Sequence, residues 1–365
     1  GVHKGSGDGT VGISSAHTLS IINRGGARAE EVIQFARQVQ RQVWRTWDIW
    51  LTPEARLINS TEDAIGPLDF RPRIALVSCR DLPSFEVDDH PLWEALRNRG
   101  VELKLPVWDD DQFDWASCDL VIPRTTWDYQ ERWSDFVAWM QHVAQVTQLL
   151  NPIELMRWNL DKRYLKELQI GQPPTLWLDQ RSLESSADLD EVTQYVLKRC
   201  REQGWTKAFL KPNIAASAVG TLRFSVELSE DQRLLADHLE RWLPQRTMIL
   251  QPYVSDVEEV GERSLIYFNG VWSHGVRKVP VPGDYRVQDD YGASDMPWDP
   301  PDTWRTQCEE LIKALPLTPL YARCDFLSGP EGEPWLVELE LIEPSLFFRH
   351  DPLSPERFAD AILAR

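Results

Sequence analysis

The sequence predicts a mixed α/β protein made of more than one compact unit. Short apolar runs bounded by turn residues alternate with stretches of helical period, so strands and helices interleave along the chain. A length of 365 residues with 42 % apolar content suits two or three units and can bury a substantial core. The earliest such interleaving, between residues 73 and 124, reads strand, helix, strand, strand, which is the grammar of a parallel sheet.

Residues 1 to 26 are rich in Gly, Ser and Thr and include GDGTVG at 7 to 12, a formal match to the dinucleotide fingerprint. That fingerprint works where a strand delivers the glycines to a helix N-terminus, and only six residues precede it, so an NAD-dependent enzyme is a weak alternative. From Ala29 to Trp50, Val32, Ile33, Phe35, Ala36, Val39, Val43 and Trp47 recur at three- and four-residue steps and mark an amphipathic helix. It either docks on the main body or lies on the surface of an extension. RIALVSC (73 to 79) is the first strand, followed by a helix near 90 to 99, a turn at Gly100, and strands in VELKLPVW (101 to 108) and CDLVIPR (118 to 124). RTTWDY (124 to 129) comes directly after the last of these, where open α/β sheets present ligand-binding residues. Arg124 is placed to fork a substrate carboxylate; equally, Arg124 and Asp128 form a structural ion pair and Trp127 is core. A helix at about 133 to 147 leads to Pro152, which breaks the pattern near Asn151.

Beyond that break, Lys162 opens a helix and Lys211 ends the apolar strand WTKAFLKP. Two lysines from different elements can clamp a triphosphate as point charges, although either one alone reads as solvated surface. Lys211 is followed by PNIAASAVGT, where Ser217 and Gly220 belong to a small-residue stretch able to offer backbone N–H groups to phosphates. QPYV (251 to 254) and Gly261-Glu262 flank a hinge-like link. A strand after the Asn269-Gly270 turn then delivers Arg277 and Lys278, and GDYRVQDDYG brings Arg286, a further candidate for substrate recognition. His274, beside that strand, reads as a packing residue.

The last hairpin joins YARCDFL (321 to 327) to WLVELEL (335 to 341), and VELELIEPSL puts Glu338 and Glu340 on one face with Cα atoms about 6 to 7 Å apart. Like charges that close repel, and either water at an exposed edge or a bound cation offsets the repulsion. Asp325 joins them only if the hairpin register allows it, and a seven-residue loop leaves that open by one residue.

Composition excludes several classes. A balance of 39 Lys plus Arg against 57 Asp plus Glu gives a formal charge of −18 with no basic block, so no nucleic acid and no membrane is expected as a partner. Five scattered cysteines without a C-x-x-C pair, no signal-peptide pattern and no apolar run near 18 residues fit a cytoplasmic protein. No G-x-S-x-G or H-E-x-x-H motif is present.

Taken together, Lys162, Lys211 with its small-residue loop, QPYV, G-E, R-x-D (323 to 325) and E-x-E (338 to 340) resemble the ATP-grasp superfamily. RTTWDY, GERSLIYFNGVWSHGVRK, GDYRVQDDYG and ELELIEPSL are similar to the branch that contains the ATP-grasp enzyme of D-cycloserine biosynthesis, an O-ureido-D-serine cyclo-ligase, with glutathione synthetase and RimK-like ligases more distant. The resemblance covers about residues 72 to 364. It implies an ATP-grasp fold with an N-terminal Rossmann-like pre-ATP-grasp domain: extension 1–71, pre-ATP-grasp domain 72–150, small lobe 151–250 and C-terminal catalytic lobe 251–365. It also implies a ligase that uses ATP and Mg²⁺, or Mn²⁺ in its place, to activate a small carboxylate as an acyl phosphate for attack by an amine or for ring closure. Lys162, Lys211, Ser217 and Gly220 would hold phosphates, Gln251, Tyr253 and Val254 adenine, and Glu262 the ribose. Asp325, Glu338 and Glu340 would hold metal, while Arg323 and Arg277 would stabilise charge in the transition state. Where the family pattern reads E-x-N this chain has Glu340, which keeps an oxygen ligand, adds a charge and leaves the number of metal ions open. An inactive nucleotide-binding module is the alternative. The oligomeric state stays open, a homodimer included.

Overall fold

The computed structural model describes the chain apart from residues 1, 2, 8, 48, 50, 52, 53, 55, 59–64, 68–70, 83, 180–187, 216, 217, 289 and 290. The extension forms a short hairpin, β1 (Val11–Ile13) with β2 (Ile21–Asn23), then helix α1 (Ala29–Trp47) and a second hairpin, β3 (Arg56–Ile58) with β4 (Ile65–Pro67). The glycines before β1 therefore feed a hairpin instead of a strand-to-helix turn, which removes the structural basis of the dinucleotide reading.

A parallel sheet follows, ordered β6 (Glu102–Lys104), β5 (Arg73–Ser78), β7 (Leu120–Thr125), β8 (Gln148–Leu149), with α2 (His90–Asn98) and α3 (Trp133–Val146) as its crossovers. The apolar runs of β5 and β7 are buried on both faces. Ile74, Leu76 and Ile122 meet a cluster that includes Phe268, Phe358 and Ile362, while Ala75, Val77 and Val121 pack under Phe136, Trp139 and Met140 of α3. One face of this sheet is thus sealed by the last part of the chain, which fixes the end of β7 against the rest of the molecule.

After α4 (Ile153–Asn159) the chain builds an antiparallel sheet ordered β11 (Leu222–Ser225), β10 (Lys207–Pro212), β12 (Met248–Pro252), β9 (Leu176–Leu178). Helices α5 (Leu189–Glu202), opened by an Asp188/Glu191 capping box, and α6 (Ser229–Trp242) cover its outer face. Past the single turn α7 (Asp256–Glu259), a five-stranded antiparallel sheet runs β15 (Ser294–Pro297), β14 (Val271–Val279), β13 (Glu262–Phe268), β16 (Tyr321–Ser328), β17 (Pro334–Glu340), backed by α8 (Asp302–Ala314) and closed by α9 (Ser354–Leu363).

The open edge of β17 is capped by side chains. Asn159 takes the Leu341 N–H and gives to the Leu339 carbonyl, the Tyr164 hydroxyl meets both Leu339 groups, and Asn151 gives to the Leu341 carbonyl at 2.7 Å. Buried backbone groups need partners, and NPIELMRWNLDKRY supplies them from the residue before the α4 cap, from α4 and from the turn after it.

Candidate active site

The two antiparallel sheets face each other across a cavity of about 290 Å³, lined by Lys162 and Lys211 from one side and by Glu262, Lys278, Arg323, Glu338 and Glu340 from the other. A larger hollow of about 1340 Å³ lies between α1 and the edge of the parallel sheet. It lacks a comparable convergence of buried charge.

Strand pairing builds the chemical face. Glu262 is opposite Lys278, Ser264 opposite Asp325, Asp325 opposite Glu338 and Arg323 opposite Glu340. The register thus puts Asp325 on the side of the glutamate pair, with a bulge between Asp325 and Phe326 absorbing the mismatch. Arg323 forks Asp325 at 3.0 and 2.9 Å and also reaches Glu340, while the Ser264 hydroxyl donates to Asp325 at 2.5 Å. Lys278 bonds Glu262 and lies 3.5 Å from Asp325. From the turn after α4, the Lys162 ammonium reaches Glu338 at 2.9 Å and the Ala215 carbonyl at 2.6 Å, and from β10 of the opposite sheet Lys211 reaches the Val337 carbonyl at 3.1 Å.

Burial and charge decide the protonation states. Burial pushes Asp325 up, yet Arg323 and Lys278 outweigh it and hold the carboxyl at about 2. Burial lowers Lys211, and Glu338 pulls back the other way. Glu338 itself, despite burial, is held below its usual range by Lys162 and Lys211. Glu340 differs: burial raises it to about 7 against the pull of Arg323, with Asp325 and Glu338 adding to the rise. Glu343, three residues on, is raised to about 8 by burial and by Glu340. Arg323 offsets part of the cost at Glu340, whereas Glu343 has no ion-pair partner among the described residues, the surroundings a cation would relieve.

The metal set expected from the sequence is not gathered as one. Among the described residues no three Asp, Glu, His or Cys side chains are close enough to ligate a single ion. The reason is local: Asp325 is held by Arg323 and Ser264, Glu338 by Lys162, and Glu340 by Arg323. Such a donor set still suits an ion that takes one or two carboxylates and draws its other oxygens from phosphate and water, as Mg²⁺ does.

Other expected residues divide between those the cavity uses and those it does not. Gln251, Tyr253, Val254, Glu262 and Arg286 line it. Ser217 lies outside the described residues. Gly220 does not line the cavity; its φ is +71°, and a Cβ there would come within 2.7 Å of Pro212 and 3.0 Å of the Trp242 ring, so the turn needs glycine for packing. Arg277 is on the wrong face. Strand alternation turns it to the Met296 sulfur at 2.9 Å and turns Lys278 to the cavity. Arg124 is fully buried and forks Asp89 at 3.0 Å through two nitrogens while donating to the Pro344 carbonyl, so it is a positioning residue; Asp128 instead accepts from Trp108 and Arg132. His274 is core, bonded to Ser273 and to the Leu346 carbonyl at 2.8 Å.

Tyr129, from the RTTWDY stretch read as ligand-facing, lines the cavity, while three further lining residues escaped the sequence reading: Glu343, Ser345 and Phe347, the last at a left-handed φ of 51°. The segment bearing them is pinned through five successive carbonyls: Ile342 by the Tyr321 hydroxyl, Glu343 by the Trp127 indole, Pro344 by Arg124, Ser345 by Arg323 and Leu346 by His274. Overhead, the Tyr285 hydroxyl meets Thr221 at 3.0 Å and Arg223 donates to the Gly283 carbonyl at 3.2 Å, so the GDYRV segment bridges the two sheets beside Arg286.

Comparison with known proteins agrees with this geometry. The chain is 31 % identical over 303 residues to the cycloserine biosynthesis protein DcsG of Streptomyces lavendulae, covering 80 % of this chain and 98 % of that protein. The chain belongs to the ATP-grasp ligase family. Within it, residues 74–151 match the family of the N-terminal domain of D-cycloserine synthetase DcsG. The crystal structure of that synthetase superposes with a TM-score of 0.70 at 28 % identity, covering 80 % of this chain and 98 % of the other. D-alanine–D-alanine ligase from Bacillus anthracis complexed with ATP gives 0.55 at 14 % identity over 80 % and 96 %. The ATP-grasp ligase PsnB with a phosphomimetic variant of its minimal precursor, Mg and ADP gives 0.53 at 17 % over 80 % and 97 %. At those identities the last two show the ATP-grasp fold alone. The extension has a different kinship: residues 1–58 match the C-terminal domain of UDP-N-acetylenolpyruvoylglucosamine reductase. The Thermobifida fusca reductase is 44 % identical over 61 residues, 17 % of each chain, so about a sixth of a reductase is represented. Among the described residues no helix is long and apolar enough to cross a membrane.

Proposed function

We propose that this ATP-dependent ligase activates a small, amino-acid-like carboxylate as an acyl phosphate, with Mg²⁺ on the nucleotide, and that an amine of a second molecule or of the same one then displaces phosphate. The observation that carries it is the convergence of Lys211, from β10 of one sheet, and Lys162, from the turn after α4, on the Val337 carbonyl and Glu338 of β17 in the other. Cations from one lobe and carboxylates from the other face a single cavity, as a polyphosphate held between two jaws requires. On this reading Lys162 and Lys211 hold phosphate oxygens, and Gln251 to Val254 meet the adenine with their backbone. Glu262 meets the ribose, and Arg286 meets the carboxylate. Arg323 supports charge on the transferring group, and Lys278, in place of Arg277, supports the face beneath it. Asp325, Glu338 and Glu340 are the residues that would hold the metal, which when bound neutralises phosphate charge. The division at residues 71, 150 and 250 belongs to the same proposal, as do the cytoplasm as its location and a partner set limited to small molecules.

The test is a screen of carboxylates, amino acids and ureido compounds for stimulated ADP and phosphate release with and without Mg²⁺. Release that needs both metal and a carboxylate is expected. Tight nucleotide binding without any turnover would select the inactive module instead.

A further inference from the structure

Almost every carboxylate lining the cavity has a partner that accounts for it. Glu262 is paired with Lys278, Glu338 with Lys162 and Glu340 with Arg323, while Asp325 behind them has Arg323, and Glu86 accepts from the Asp88 backbone N–H. Glu343 has none of these. It is 8 % exposed, lines the cavity and makes no ion pair with a described residue; the Tyr129 hydroxyl is the polar side-chain neighbour that favours its charged form. A carboxylate this buried is costly unless a cation or several donors meet it. Its position is also not adjustable, because the Trp127 indole holds its own carbonyl at 2.9 Å and Arg124 and Arg323 hold the next two. Trp127 and Tyr129 line the cavity with it, the first through the indole that meets its carbonyl and the second through the phenol beside its carboxyl, so aromatic rings adjoin it.

From this arrangement we propose that Glu343 and Tyr129 form the subsite that receives the ammonium group of an amino-acid substrate. An ammonium offers three donors to the two carboxylate oxygens and the phenol oxygen, and aromatic faces favour a cation beside them. A metal ion fits less well here, since a divalent ion would need more oxygens than one carboxylate supplies and, among the described residues, no group of three acidic, His or Cys ligands converges. The raised ionisation of Glu343, to about 8, is what an acid awaiting a cationic partner shows. The inference rests on the ligase reading and narrows it: the substrate carries a charged amine, which selects α-amino acids over α-hydroxy acids of the same shape.

Binding tests it independently of turnover. Melting of the full chain with Mg²⁺ and a non-hydrolysable ATP analogue is followed against matched pairs, alanine with lactate and serine with glycerate, both enantiomers. The wild-type protein is expected to be stabilised by at least one amino acid and less by its hydroxy counterpart. Glu343→Gln is expected to weaken that amino acid by about 30-fold and to erase the preference, because a buried charge pair has lost one member. Tyr129→Phe is expected to give the same change in smaller measure, and the melting curves themselves report whether each variant is folded. Equal response of the wild type to both members of every pair, or a preference that survives in Glu343→Gln, would overturn the subsite. Absence of ADP release in the carboxylate screen would instead strike the ligase reading, whatever the binding data show.

Discussion

Two neighbouring walls of the cavity are held in different ways. Strand β17 places Glu338 and Glu340 through the hydrogen-bond ladder it shares with β16, so two residues of spacing and one register determine where the carboxylates point. The segment at 342 to 347 has no ladder. It is held by Tyr321, Trp127, Arg124, Arg323 and His274, which come from three different strands and one loop, each catching one carbonyl. A ladder is cooperative and tolerates single side-chain losses, whereas a set of separate pins transfers each loss to one point of the cavity wall.

The contrast can be broken most forcefully at Arg124. Arg124→Met leaves Asp89 buried without its cation and should cost about 3–5 kcal/mol of stability, read from the denaturant midpoint. Asp89→Leu combined with Arg124→Met should recover much of that loss; if the double variant is as unstable as the single one, the pin is not an ion-pair device. On the ladder side, Lys211→Ala and Glu338→Gln should each lower ADP formation by about 100-fold or more in variants that melting shows to be still folded. Full turnover in either variant would defeat their assigned places. Lys278→Met and Arg277→Met sharpen the same point, since alternation along β14 predicts a large loss of activity for the first and a change within about threefold for the second. The smallest effect is expected for Trp127→Phe, which keeps an aromatic ring, though a smaller one, and removes the indole donor from the Glu343 carbonyl, about 1 kcal/mol in stability for the lost hydrogen bond.

Acidity offers a further discriminator. Glu340 and Glu343 are raised to about 7 and 8 in the folded protein, so in the window from the ordinary carboxyl range up to those values the native state binds more protons than the unfolded chain. Stability contributed by these groups is complete at about pH 4 and is lost as pH rises through 7 to 8. Asp325, held at about 2, has the opposite sign and loses its contribution only as pH falls toward that value. Melting temperature measured across pH 5 to 8 should therefore fall more steeply in the wild type than in Glu343→Gln; parallel curves would show that Glu343 does not titrate there.

Much of the ladder wall was legible from the chain alone, because alternation and spacing are local properties. RIALVSC and CDLVIPR became adjacent parallel strands, and E-x-E placed two carboxylates on one face. The choice of Arg277 over Lys278 failed for a reason of the same kind: neighbouring residues on a strand face opposite ways, and only pairing with Glu262 tells which is inward. Arg124 failed differently. Its position after a sheet strand matched a ligand-binding residue, but Asp89 and Pro344, which absorb its charge, are distant in sequence and carry no motif. Glu343 was passed over because an acid beside a proline after a strand looks like an ordinary turn until the pins above it are seen.

The capped margin of β17 carries a consequence for how this protein meets others. An unpaired strand offers a template on which another chain can add itself, and the row beginning at Leu339 has already spent its donors and acceptors on Asn151, Asn159 and Tyr164. The carboxylate-bearing border is therefore closed to recruitment by strand addition. In that sheet the opposite border, short and ending in Pro297, is the one where a neighbouring chain could begin to align.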